Sequence, residues 1–158
     1  MIQIKQYHKD NIPYNLNRVL IKNITLSSDI EYKNREELFI NDICNRVMKS
    51  KSVLYILQDN ETVIGFIALA STSIKDQPSL QVDYIFVNNN YRGIVMSKLD
   101  HCKPFRYLLD FSISLAKDIK KSIGLRYLVL SPDTDDLIIK YNKIGFKKLD
   151  NQWMYLKI

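Results

Sequence analysis

Apolar and polar residues alternate through "MIQIKQY" at the start of the chain, the period of a half-buried strand. From residue 14 the period changes. Leu16, Val19, Leu20 and Ile24 fall on one face of a helix over 14–24. "SSDIEYKN" is polar and predicts a loop. "NREELFINDICNRVMK" returns to the helical period, with Phe39, Ile43 and Val47 as its stripe. Asn34, followed three residues later by Glu37, predicts its capped start. "SVLYILQ" and "TVIGFIALAS", separated by "DNE", predict a hairpin, and "SLQVDYIFV" a further antiparallel strand. A helix over 106–122 carries Leu108, Phe111, Leu115 and Ile119 and closes at Gly124. "LRYLVLSP" is apolar almost throughout, as in a buried parallel strand. "DTDDLIIKYNKIGF" predicts a helix capped by Asp133 or Thr134 and ended by Gly145. "KKLDN" and "QWMYLKI" close the chain as strands.

The order is β-α-α-β-β-β-α-β-α-β-β. It predicts an α+β fold, a mixed sheet flanked by helices, in one domain over 1–158. No apolar run approaches the roughly 20 residues needed to span a bilayer, so no membrane is expected and a cytoplasmic location is the default. Two cysteines, Cys44 and Cys102, make no disulfide framework, and with two histidines they show no metal-ligand spacing. Cys44 reads as a buried thiol. Cys102, beside His101, reads as a loop thiol, the alternative being a Cys-His nucleophile. The net charge of +6 lies mostly after residue 77, where 13 Lys and Arg face 8 Asp and Glu. Such a surface suits an anionic ligand or nucleic acid.

Three stretches carry a family resemblance. "IGFIALAS" places Gly-Phe after an apolar pair. "DYIFVNNNYRG" sets three residues between Val87 and Tyr91-Arg92-Gly93. "IIKYNKIGF" ends a capped helix with Tyr141 four residues before Gly145. Together with the element order, they resemble the GNAT superfamily of N-acetyltransferases over nearly the whole chain. The second stretch departs from that family's Q/R-x-x-G-x-G/A continuation. No further glycine follows Gly93 before the helix; about nine residues, Ile94–Cys102, stand there as an insertion whose Met, Leu and His side chains suit a cover over the cofactor or the acceptor.

The resemblance implies acetyl-CoA as co-substrate, no metal, and an amine-bearing acceptor. Tyr141 would protonate the departing thiolate, and Asp83 would take the amine proton unless water does. The backbone of Ile85, Phe86 and Val87 would hold the acetyl carbonyl and pantetheine. Arg92 and Gly93 would meet the pyrophosphate. Lys103, Pro104, Phe105, Arg106 and Tyr107 would replace the missing glycines, with a proline-led helix start and two basic side chains. The acceptor stays open among a metabolite, a protein N-terminus and aminoacyl-tRNA, the last as in toxins of that family. A homodimer is also left open. The alternative reading is a non-catalytic GNAT-like binding module with a degenerate loop. Without bulges, Gln81, Asp83, Ile85 and Val87 share one face of their strand. Tyr14, Tyr32, Tyr84, Tyr127 and Trp153 read mostly as packing residues, the alternative for some being to line an acceptor groove between the first two helices and the sheet.

Overall fold

The computed structural model describes all residues, Met1–Ile158. Its elements are β1 (Ile2–Tyr7), α1 (Leu16–Asn23), α2 (Ile30–Met48), β2 (Val53–Asp59), β3 (Thr62–Ile74), β4 (Gln77–Val87), α3 (Pro104–Ile123), β5 (Tyr127–Leu130), α4 (Asp135–Ile144), β6 (Lys147–Lys148) and β7 (Met154–Lys157). One seven-stranded sheet runs β1-β2-β3-β4-β5-β7-β6. The first four strands form an antiparallel meander, β4 and β5 pair in parallel, and β5 pairs antiparallel with β7. No helix is long and apolar enough to cross a membrane.

The sheet has a core on each face. Leu16, Leu20, Ile40, Ile43 and Val47 of α1 and α2 bury Leu54, Ile56, Phe66 and Phe86. On the other face α3 and α4 cover Leu57, Ile64, Ile67, Leu80, Val82 and Leu128. Strands with apolar residues on both faces read as continuous apolar runs, as β3 does. Val19, predicted on the stripe of α1, is instead 44% exposed, because the eight-residue helix turns only Leu16 and Leu20 inward.

The start of α2 corrects the sequence reading. The helix begins at Ile30, and Asn34 lies inside it, exposed. Asp29 is the cap: its carboxylate accepts from the amides of Glu31 (3.0 Å) and Tyr32 (3.2 Å). The chain offers two capping residues five apart. The earlier one relieves two of the helix's unpaired amides at once. The added turn sets Tyr32, Arg35, Glu36 and Phe39 on one side of the helix, at the i, i+3, i+4, i+7 spacing.

Gly65 is fixed by a close approach. A Cβ there would lie 2.4 Å from the carbonyl oxygen of Phe86 and 3.2 Å from Leu108. Backbone on β4 cannot move aside as a side chain would. The glycine therefore allows β3 to sit under the last residues of β4, where the chain leaves the sheet. Gly65→Ala is expected to lower stability by about 1–3 kcal/mol, the usual range for an overpacked site. Equilibrium urea unfolding measures it; wild-type stability would show that the strands part freely.

Candidate active site

β4 and β5 pair only briefly. Ser79, Leu80 and Gln81 face Tyr127, Leu128 and Val129, and the pairing ends there. β4 runs on to Val87, whereas β5 stops at Leu130 and the chain turns into α4. Beyond Gln81, one edge of β4 has no strand partner. A cavity of about 520 Å³ fills the opened seam. It lies in the range of small-molecule and cofactor sites. Val82–Val87 form one wall. Tyr32, Arg35, Glu36 and Phe39 of α2 close one side. Lys103, Pro104 and Phe105 at the start of α3, with Leu137, Lys140 and Tyr141 of α4, close the other.

Backbone polar groups alternate in direction along a strand. The Phe86 carbonyl points at β3, as its approach to Gly65 shows, and the Asn88 amide also turns that way, donating to Ile64 O (2.8 Å). Ile85 and Val87 therefore present their backbone groups to the open edge. Of the three predicted backbone contacts, Phe86 is thus committed to the sheet. Its ring is buried and stacked on Phe66 at 5.0 Å.

Tyr141 stands on the inner face of α4, 3% exposed, with its ring 5.7 Å from Phe105 and 5.5 Å from Phe146. Its hydroxyl makes no hydrogen bond within the protein. It is not sealed away either, since no buried side-chain oxygen is left without a partner. The hydroxyl opens onto the cavity that the residue lines. Burial pushes this phenol well above the usual tyrosine range, and the charge of Asp133 adds to the effect. Tyr84, read from sequence as packing, lines the same cavity from the α2 side, 5.1 Å from the Phe39 ring. Burial raises its phenol too, followed by the charge of Glu36.

Asp83 reaches the cavity wall by a route that the alternation did not foresee. β3 and β4 slip register, so that Ala68 pairs with Tyr84 and Leu69 with Val82. Asp83 is the bulged residue between them. The bulge reverses the faces. Asp83 still shares a side with Gln81, whose Nε2 donates to it (2.8 Å), but no longer with Ile85 and Val87. It turns to α2 and the segment after it. The Ser52 hydroxyl donates to its carboxylate, and Arg46 Nε lies at 3.4 Å from Oδ2 and 3.1 Å from Ser52 Oγ. Its side chain is 5% exposed.

The loop residues divide. Arg92 and Gly93 line the cavity, with Gly93 at φ +74°, a conformation that favours glycine. The Arg92 side chain is tied to α2: Nε donates to Val87 O (2.8 Å), the guanidinium lies 5.2 Å from the Phe86 ring, and it pairs with Glu36. Lys103, Pro104 and Phe105 line the cavity as expected. Arg106 and Tyr107 do not. Arg106 turns back to Asp110 one helical turn on (2.9 Å), and Tyr107 packs against the core. Pro104 starts α3, whose cap residue Lys103 supplies no side-chain acceptor, and the amides of Phe105 and Arg106 have no partner in the chain.

The insertion Ile94–Cys102 does not cover the cavity, and none of its residues lines it. It folds back on the α3 face. Leu99 is fully buried, Met96 bridges to Cys102, and Lys98 pairs with Asp59 at the β2–β3 turn (2.7 Å). Cys102 Sγ donates to Leu99 O (2.8 Å), and burial raises its thiol above the ordinary range, followed by the charges of Asp110 and Asp100. A thiol held protonated is a poor nucleophile. Burial likewise raises Cys44 to about 11.

Sequence reasoning missed Arg35, Glu36, Asp133, Lys140, Arg46 and Ser52. The helical spacing of 32, 35, 36 and 39 was the available signal for the α2 residues. Arg35 pairs with Asp133 (3.0 Å) between α2 and the start of α4, which no local pattern announces.

No protein-family model matches the chain, and no curated protein matches it in sequence. Solved structures match in shape. The AtaT toxin, as a tyrosine-to-phenylalanine mutant bound to the C-terminus of the antitoxin AtaR, superposes with TM-score 0.75 at 13% identity, covering 99% of this chain and 92% of that one. The fold is the GNAT-like fold of AtaT. AtaTR bound with acetyl-CoA gives TM-score 0.74 at 14% identity over 99% and 92% of the two chains. AtaT complexed with acetyl-methionyl-tRNAfMet gives 0.73 at 13% over 99% and 95%.

The Asp83 cluster ties the bulge of β4 to α2. Asp83→Ala and Arg46→Ala are each expected to destabilise by about 1.5–3 kcal/mol, the range for a hydrogen bond to a charged group. A double-mutant cycle should show coupling, because the residues share one network. Strictly additive losses in thermal or urea unfolding would refute the link.

Proposed function

We propose that this protein is an acetyl-CoA-dependent N-acetyltransferase acting on a primary amine. The observation that carries the reading is the Tyr141 hydroxyl, which has no partner within the protein and reaches the cavity beside the open edge of β4 from an otherwise buried side chain. A core tyrosine normally finds a partner for its hydroxyl. Here the missing partner is the leaving sulfur of the co-substrate. Acetyl-CoA in a solved structure of a fold neighbour supports the same cofactor for this cavity.

In this reading the pantetheine arm lies along Ile85 and Val87 and pairs with the backbone groups of Ile85 and the Val87 amide, the Val87 carbonyl being held by Arg92. An N–H on that edge stabilises the oxyanion as the neutral amine attacks the thioester carbon. The carbon–sulfur bond then breaks, and Tyr141 delivers its proton to the sulfur. Dry surroundings raise the proton affinity of the departing thiolate as they raise that of the phenol. The amine proton leaves to water. Asp83, engaged by Ser52, Gln81 and Arg46, holds the bulge of β4 in place beside the cavity.

The acceptor enters past Tyr32, Arg35 and Phe39. An aminoacyl-tRNA is the acceptor class with the most support, since a solved structure of AtaT holds acetyl-methionyl-tRNAfMet and the net charge of +6 suits a nucleic acid. A non-catalytic module has less support, because the cavity and its unpartnered phenol are intact despite the altered loop.

Tyr141→Phe tests the proposal. Turnover with acetyl-CoA and bulk aminoacylated tRNA, or a panel of primary amines, is expected to fall about 10²–10⁴-fold, the usual share of a general acid. Acetyl-CoA affinity should stay within about threefold, because the ring remains and only a hydroxyl is lost. Undiminished turnover would remove Tyr141 from the chemistry. A raised phenol stays protonated as pH rises, so wild-type turnover should show no tyrosine-linked loss up to about pH 10, the ordinary tyrosine value. An alkaline loss below that pH, absent in the Phe variant, would contradict the buried-acid assignment.

A further inference from the structure

The cations around the cavity are not equivalent. Arg92 is paired with Glu36, Arg35 with Asp133, and Arg106, outside the cavity, with Asp110. Two lining cations, Lys103 and Lys140, have no carboxylate partner. Lys140 comes from α4, next to Tyr141, and its Nζ lies 4.8 Å from the centroid of the Phe105 ring. Phe105 is the second residue of α3, and its amide and that of Arg106 have no acceptor in the chain. An aromatic face holds an ammonium without neutralising it. The ring therefore parks the Lys140 charge beside the open start of α3, where amides and helix dipole favour an anion. The hydroxyl of the otherwise buried Tyr141 side chain has no partner within the protein and reaches the same cavity, which independently marks it as a ligand site.

We infer that Lys140 is a diphosphate-binding residue, reaching from α4 to complete an anion site with Lys103 and the first amides of α3. The inference rests on the acetyl-CoA reading. It assigns to a side chain on the far wall the charge neutralisation that Arg92, locked to α2, does not supply. It also joins cofactor binding to the helix that carries the proton donor, since Lys140 and Tyr141 are adjacent.

Calorimetric titration with CoA, 3′-dephospho-CoA and pantetheine tests it. Lys140→Met keeps the aliphatic stem on Phe105 and removes the charge. It should weaken CoA and 3′-dephospho-CoA alike, by about tenfold to a hundredfold, the worth of a charged hydrogen bond. Pantetheine, which has no phosphate, should bind as to wild type. Lys143→Ala, on the same helix and outside the cavity, should change none of the three. Wild-type affinity of Lys140→Met for CoA would overturn the inference and leave the function intact. A loss confined to CoA would move Lys140 to the 3′-phosphate and overturn the diphosphate assignment. If wild type binds neither CoA nor 3′-dephospho-CoA, the function and the inference fall together.

Discussion

The site depends on the early parting of two parallel strands. β4 and β5 share three residue pairs and then separate, although β4 continues for six more residues. A strand edge left open inside a protein exposes backbone groups that must find a partner. Water fills that role at an outer edge. Here the edge lies between helices on both faces of the sheet, and a ligand with amides of its own is the fitting substitute. The bulge at Asp83 and the close approach at Gly65 both serve this geometry. The first bends β4 where the pairing ends, and the second allows its last residues to lie tight on β3.

Around that seam, α2 acts as a second support. Arg46 reaches the bulge, and Glu36 holds Arg92 and also accepts from the Ser27 amide (2.7 Å). Arg35 reaches Asp133 before α4. Pairs as exposed as Arg35–Asp133 add little stability on their own. Their arrangement has a chemical result nonetheless. The charges on the α2 side are matched within the protein, whereas the uncompensated positive charge collects at the start of α3. One end of the cavity thereby presents unpaired positive charge, and the other presents aromatic side chains.

Much of this was legible in the sequence. The element order emerged because each period change coincided with a cap, a glycine or a turn. Tyr141 was singled out by the resemblance of "IIKYNKIGF" to the GNAT superfamily's ending, and the structure sets it on the inner face of α4, a helix capped by Thr134 and ended by Gly145. Lys103 to Phe105 were singled out where the family's loop glycines are missing and a proline marks a helix start, and the structure sets them on the cavity. What was lost has physical causes. A bulge inserts one residue without a sequence signature, so the face of Asp83 was misassigned. Asp29 and Asn34 both satisfy the rules for a cap, and local rules do not choose between them. Long-range pairs such as Arg92–Glu36 and Lys140–Phe105 join residues 56 and 35 positions apart, beyond any local pattern. The insertion suggested a cover through its apolar residues. They are apolar because Leu99 fills the core.

The central claim is that one open backbone edge and one helix start together receive acetyl-CoA. Amide hydrogen exchange by NMR, with and without saturating acetyl-CoA, addresses it at single residues. New protection is expected at whichever of Ile85 and Val87 donates to the ligand, and at Phe105 and Arg106. Phe86, already bonded within the sheet, should not change. Unaltered exchange at all four amides in the presence of bound acetyl-CoA would contradict it.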